Sequence, residues 1–181
     1  MTDSEGCFII GEKENSFYFR FDIYMHKDDS PMLKYISDRL NIGSVYVIDH
    51  FVCLSVVNPN DLIKIFSIFD NSPLNTSKNL NYLLFKEAFE LYSNRKSLNF
   101  EDVKKEITGI KDQMNKKRVD FNQPENHFIN ITPYWLIGFV EAEGYFSVAS
   151  NSHKLTLGIG QSATELNVLE AIKEFFIRIT W

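Results

Sequence analysis

Cysteine is scarce in this chain: two residues among 181, Cys7 and Cys53, with no CxxC spacing. That excludes a disulfide scaffold and a thiolate zinc site, and reads both thiols as core or strand residues in a reducing compartment. Long apolar runs are missing as well. None approaches the ~20 residues of a membrane span, and the start carries no signal-peptide pattern. Excess positive charge is the third absence. The formal net charge is −5, whereas a nucleic-acid binder is ordinarily basic. Repulsion therefore opposes any approach to phosphates except at locally basic segments. Residues 95–120 are such a segment, with 8 basic and 5 acidic side chains.

Hydrophobic residues are plentiful, at 44% of the chain with 16 Phe. This is the composition of a globular protein rather than a disordered one. The length suffices for one sizeable core or two small ones.

The most informative feature is an acidic motif that occurs twice. One copy reads Leu136-Ile137-Gly138-Phe139-Val140-Glu141-Ala142-Glu143-Gly144, and the other Thr2-Asp3-Ser4-Glu5-Gly6. Each ends acid-x-acid-Gly and runs on into x-Phe. In the longer copy Thr132 is an N-cap and Pro133 suits the first helical turn. Leu136, Phe139 and Val140 share a face, and Gly138 leaves room for a second backbone. Gly144 is expected to end the helix in the left-handed conformation. Glu143 then sits at the helix C-terminus, where the dipole disfavours a carboxylate unless a cation neutralises it. Two matching carboxylates on two related units point to one shared divalent-metal site.

This pattern resembles the LAGLIDADG family of homing endonucleases and related intron maturases. Pro73-Leu74-Asn75-Thr76-Ser77-Lys78 and Tyr82-Leu83-Leu84-Phe85-Lys86-Glu87-Ala88 look like the stretch that closes the first repeat of single-chain members. The resemblance implies an α+β fold of αββαββα units, with an antiparallel saddle sheet and helices on one face. It implies Mg²⁺-dependent, sequence-specific double-strand DNA cleavage by an intron-encoded, organellar protein, in the mitochondrion or alternatively the chloroplast. The alternatives are an RNA-binding maturase acting on intron RNA and an inactive remnant. In the family the last acid of each motif binds Mg²⁺ at the scissile phosphates, a role that falls on Glu5 and Glu143. Lys78 and Gln161 match catalytic positions that order the attacking water. Asp3 and Glu141 match the inner, mainly structural acid. Arg20, Asp22, Tyr24 and His26, with Lys154 and Thr156, match the DNA-reading sheet face. Leu136, Gly138 and Val140 match the helix interface.

The repeat also organises the chain. Residues 1–94 read as a first copy, 95–131 as a helical connector and linker, and 132–181 as a second copy. Phe17, Phe19, Phe21, Ile23 and Met25 alternate with polar residues at the period of a half-buried strand. Val45–Ile48 and Phe51–Val57 read as a hairpin turning at Asp49-His50. Asn99 caps a helix bearing Val103, Ile107, Ile110 and Met114. Lys116-Lys117-Arg118 reads as that helix's solvated end, its cations at the C-terminal dipole. Ser162-x-x-Glu165 reads as a capping box. The first motif helix is expected to be cut short and the second sheet to lack two strands, so that self-association through an open sheet edge is expected. A complete chain is expected to be a monomer.

Overall fold

A computed structural model describes residues 1–14 and 16–179. The order of elements is α1 (Thr2–Glu5), β1 (Gly6–Lys13), β2 (Ser16–His26), α2 (Ser30–Leu40), β3 (Ser44–Ile48), β4 (Phe51–Val56), α3 (Pro59–Asn71) and α4 (Lys78–Ser93). Then come α5 (Phe100–Lys111), α6 (Pro133–Glu143), β5 (Gly144–Val148), β6 (Leu155–Ile159) and α7 (Leu166–Ile179). This is the α+β architecture that the two-motif pattern implies.

The first sheet has the order β1-β2-β4-β3, every pair antiparallel. The period-2 pattern of β2 decides which way it faces. Phe17, Phe19, Phe21 and Ile23 point into the core, with exposures of 6% or less. The helices α3 and α4 bring Phe66, Phe69, Tyr82, Phe85 and Phe89 onto them. Phe8 is the hub: its ring lies 5.1 Å from Phe21, 5.4 Å from Phe85 and 5.7 Å from Tyr82. Tilted and edge-on pairs of this kind add to plain area burial, which gives the many phenylalanines a use.

The hairpin turns at Asp49 and His50, with Asp49 at φ 52°. Asn99 caps α5 by accepting from the Glu101 amide at 2.9 Å. Val103, Ile107, Ile110 and Met114 are all buried in the first core. The connector helix is thus packed into the first unit rather than strung between two.

A second, smaller core forms from Leu136 and Phe139 of α6 with Val168 and Ile172 of α7. The sheet β5–β6 pairs Phe146 with Leu157 and Val148 with Leu155. The helix α7 covers only the Ile159 end of that apolar face. Phe146 is left 78% and Leu155 77% exposed.

Three sequence expectations are corrected. Gly144 is extended, φ −92° and ψ 153°, not left-handed. Its need for glycine is steric: a Cβ there would lie 2.6 Å from the Val140 carbonyl oxygen. Gly6 stands in the same relation to Thr2, at 2.7 Å from its oxygen. In both copies the helix runs straight into a strand with no loop, and only glycine tolerates the approach. The capping box does not close, because Glu165 turns away from Ser162 and accepts from the Ser77 amide with both oxygens at 3.1 Å. Finally, α5 ends at Lys111, and Lys116-Lys117-Arg118 lies past Met114 around a separate 3₁₀ turn. Those three cations are not at the helix dipole.

Gly144→Ala is expected to destabilise by roughly 1–3 kcal/mol through overpacking against backbone. Gly109→Ala, in α5 with nothing within 4 Å of its would-be Cβ, is expected to stabilise by about 0.5–1 kcal/mol. Urea denaturation of the two variants should therefore shift in opposite directions. A neutral Gly144→Ala would remove the steric argument.

Candidate active site

Glu5 closes α1 and Glu143 closes α6, so each carboxylate is carried at a helix end that turns at once into an edge strand. The two helices meet through glycine. The Met1 backbone nitrogen lies 3.3 Å from the Gly138 carbonyl oxygen, to which it donates. Leu136 is buried and Val140 half-buried beside it. Glu5 and Glu143 are thereby brought within electrostatic range of one another. Burial raises the Glu5 pKa above the usual carboxylate range, Lys78 opposes the rise, and Glu143 adds to it.

Lys78, the first residue of α4, reaches the same place. Its Nζ donates to the carbonyls of Ser4 and Gly6, both at 2.6 Å, on either side of Glu5. Burial lowers its pKa, while Cys7, Glu5, Asp3 and Glu143 pull it back up. One N–H remains for a ligand.

The inner acids behave differently from each other. Asp3 is buried, and its Oδ1 accepts from the Thr76 amide and hydroxyl, both at 2.8 Å. Its Oδ2 accepts from Trp135 Nε1 at 2.7 Å. Glu141 is exposed. Asp3 is therefore already saturated by protein donors.

The outer face of the sheet carries the polar row of β2. Asp22 is fully buried there, accepting from Ser55 Oγ at 2.6 Å and from the Tyr24 hydroxyl at 3.1 Å. Arg20 Nε lies 2.9 Å from Asp22 Oδ2, but its N–H is turned off that line, so charge rather than a hydrogen bond holds the pair. Asp22 is thus inaccessible to a groove and instead fixes Arg20 and Tyr24. His26, Lys154 and Thr156 are exposed, and Gln161 is half-buried after β6 with no hydrogen bond among the described residues. Sequence reasoning missed Tyr46 and Phe51, which the β3–β4 register puts on this same face. The hairpin pairing alone would have shown them.

Among the described residues no three His, Cys, Asp or Glu side chains cluster as a ready-made metal cage. Two carboxylates fit a cation that keeps several water or phosphate ligands, as Mg²⁺ does, better than a fully protein-bound one.

Residues 1–89 match the family model described as LAGLIDADG endonuclease. The chain is 33% identical over 158 residues to a Schizosaccharomyces pombe protein named probable intron-encoded endonuclease Cox1-I1b, covering 83% of this chain and 40% of that one. It is 27% identical over 179 residues to the Saccharomyces cerevisiae uncharacterized mitochondrial protein RF1, covering 97% of this chain and 37% of the other. Its fold superposes on the homing endonuclease I-GzeII, solved in complex with its DNA target, with a TM-score of 0.81 and 26% identity. That match covers 97% of this chain and 68% of the other. The chain belongs to the LAGLIDADG endonuclease family. It spans about two fifths of the length of the curated relatives it matches.

In this LAGLIDADG chain Asp3→Asn is expected to cost about 1.5–3 kcal/mol, since hydrogen bonds to a charged group are at stake. Glu141→Gln is expected to stay within about 0.5 kcal/mol. Chemical denaturation reads both, and equal effects would contradict the asymmetry.

The raised pKa of Glu5 sets a second expectation. The folded state holds the Glu5 proton more tightly than the unfolded state, so stability falls as pH rises through the window from the ordinary carboxylate value to the raised one. Glu5→Gln should remove that fall and melt higher than wild type at neutral pH without divalent cations. A lower melting temperature for Glu5→Gln under those conditions would show that the carboxylate is not strained.

Proposed function

We propose that this chain carries the cleavage centre of an intron-encoded, mitochondrial, sequence-specific endonuclease that acts on double-stranded DNA with Mg²⁺. The observation that carries this reading is the pairing of Glu5 and Glu143 at the ends of two glycine-contacted helices, with Lys78 held beside Glu5 by the Ser4 and Gly6 carbonyls. Structural acids need no such pairing. It leaves one carboxylate desolvated at a cost to the fold.

Glu5 and Glu143 would hold the metal, which when bound supplies charge for the attacking and leaving oxygens of a phosphodiester and lowers the pKa of a water. The remaining work falls to the chain itself. Asp3 holds α1 against α6 and so sets the spacing of the two carboxylates. Lys78 keeps a positive charge beside Glu5, where the negative charge of a phosphate in transit would develop. Gln161 has a free amide with which to orient a water. Arg20, Tyr24 and His26, supported by Asp22, offer donors to a major groove, and Lys154 and Thr156 extend that face on the second sheet. The mitochondrial location follows the named relative, which gives the chloroplast no support.

The test uses Glu143→Gln, which keeps shape but removes charge. With Mg²⁺ and a supercoiled plasmid bearing the intron-insertion sequence, the full-length protein containing this chain should linearise the plasmid. The variant should lose cleavage by about 10³-fold or more while still binding duplex in Ca²⁺. Wild-type cleavage by Glu143→Gln would overturn the assignment. Cleavage absent from both proteins, with tight binding of intron RNA, would replace it by the maturase reading.

A further inference from the structure

The first sheet ends at β1, and the connector returns along that free edge after α5. It is tied down there. Met114 is buried in the core, and Asn115 takes a left-handed φ of 53°. That conformation lets its side-chain amide donate to the Phe8 carbonyl at 3.0 Å while its backbone N–H donates to Asn81 Oδ1 at 3.0 Å. Arg118 closes on the same Asn81 oxygen through Nε and Nη2, at 3.2 and 3.0 Å. The turn is pinned from both sides. Lys116 and Lys117 are therefore carried on fixed backbone, not on a free tail.

These residues line a cleft of about 590 Å³ together with Lys111 and Lys78. Five cations surround it, and no carboxylate is among its lining residues. Lys117 also touches Asp112 on the rim. The apolar wall is Cys7 and Ile9 of β1, which point to the same side of the sheet as Arg20 and Asp22. One end of the cleft is Lys78, whose charge is felt by both Glu5 and Cys7. In a chain of net charge −5, such a concentration of cations opposes folding unless an anion is its partner.

We propose that the cleft between β1 and the 114–118 turn is a phosphate-backbone seat for duplex DNA, continuous with the Glu5–Glu143 centre. The strand that leaves the carboxylate pair passes Lys78 and is neutralised by Lys111, Lys116 and Lys117. Arg118 acts as a positioning residue: it holds the turn through Asn81. This rests on the nuclease reading. It adds that the connector, not only the sheet, binds the duplex, and that this contact is indifferent to base sequence.

The experiment is a fluorescence-anisotropy titration of the chain against a random-sequence duplex of about 30 bp in Ca²⁺, repeated over a range of KCl concentrations. The proteins compared are wild type, the triple variant Lys111→Gln/Lys116→Gln/Lys117→Gln, and the control Lys34→Gln/Lys96→Gln/Lys105→Gln. The control removes the same charge from exposed lysines elsewhere. The cleft variant should flatten the slope of log affinity against log salt by about 2 to 3 and weaken binding about 10-fold or more, without lowering the melting temperature. The control should move neither by more than the general loss of charge.

Equal slopes in the two triple variants would overturn the proposal. So would a slope change confined to structured RNA of matching length, or a wild type that binds no duplex. Failure of the nuclease reading is read separately: plasmid stays uncut by wild type while the cleft variant still loses duplex affinity. Failure of the cleft alone leaves cleavage dependent on Glu143 and salt slopes unchanged.

Discussion

One buried carboxylate, Asp3, ties α1 to the loop before α4 and to α6. Asp3 takes three donors from two distant segments, Thr76 in the loop before α4 and Trp135 on α6. Without it α1, a single turn with little to bury, would keep the Met1–Gly138 and Lys78–Ser4 contacts but lose its buried anchor. With it, the loop at residues 73–77 and the first turn of α4 become a junction. Lys78 reaches from that turn to the carbonyls flanking Glu5, and the Ser77 amide donates to Glu165. Asn75 exchanges two hydrogen bonds with the backbone of Asn130, while Asn79 and Gln123 tie down the linker further along. A buried charge is tolerable only when its lone pairs are filled, and filling those of Asp3 is what draws the three segments together.

That junction explains how the chain tolerates its centre. Glu5 is partly desolvated and repelled by Glu143, so folding places it where it is least content. Lys78 offsets part of this, at the expense of its own hydration. Such local conflict persists only where surrounding contacts over-determine the geometry. The aromatic core around Phe8 and the saturated Asp3 supply that surplus on either side of the helix end.

Much of this was legible in the sequence, for a physical reason. The alternation of β2, the Asn99 and Thr132 caps and the acid-x-acid-Gly repeat are local signals, and local signals need no tertiary knowledge. What misled were residues whose local option was overruled by a distant partner. Glu165 had Ser162 within easy reach and instead accepts from the half-buried Ser77 amide, at the residue that precedes α4. Gly144 looked like a left-handed helix terminator, yet it is extended, and a Cβ there would meet the Val140 carbonyl, as a direct helix-to-strand step requires. Asp22 had the period of an outward residue and the burial of a core one, since Arg20, Tyr24 and Ser55 close over it. Lys116–Arg118 looked like a helix end because no sequence rule marks the turn that Met114 and Asn115 make.

The two copies of the motif also separate position from residue type. Asp3 and Glu141 occupy the same place in the repeat, yet one is buried and saturated while the other is exposed. Asp reaches a short distance and locks onto backbone and indole donors, whereas Glu141 meets no such donors among the described residues. Glu5 and Glu143, by contrast, are the same residue in both copies and are both half-buried at a helix end. A structural acid is free to differ between repeats, because each copy packs against different neighbours. On the reading proposed above, Glu5 and Glu143 act together on one cation and are not free to differ, because such a pair works only if both project equally to a common point. That reading accounts for the symmetry of the outer acids beside the asymmetry of the inner ones.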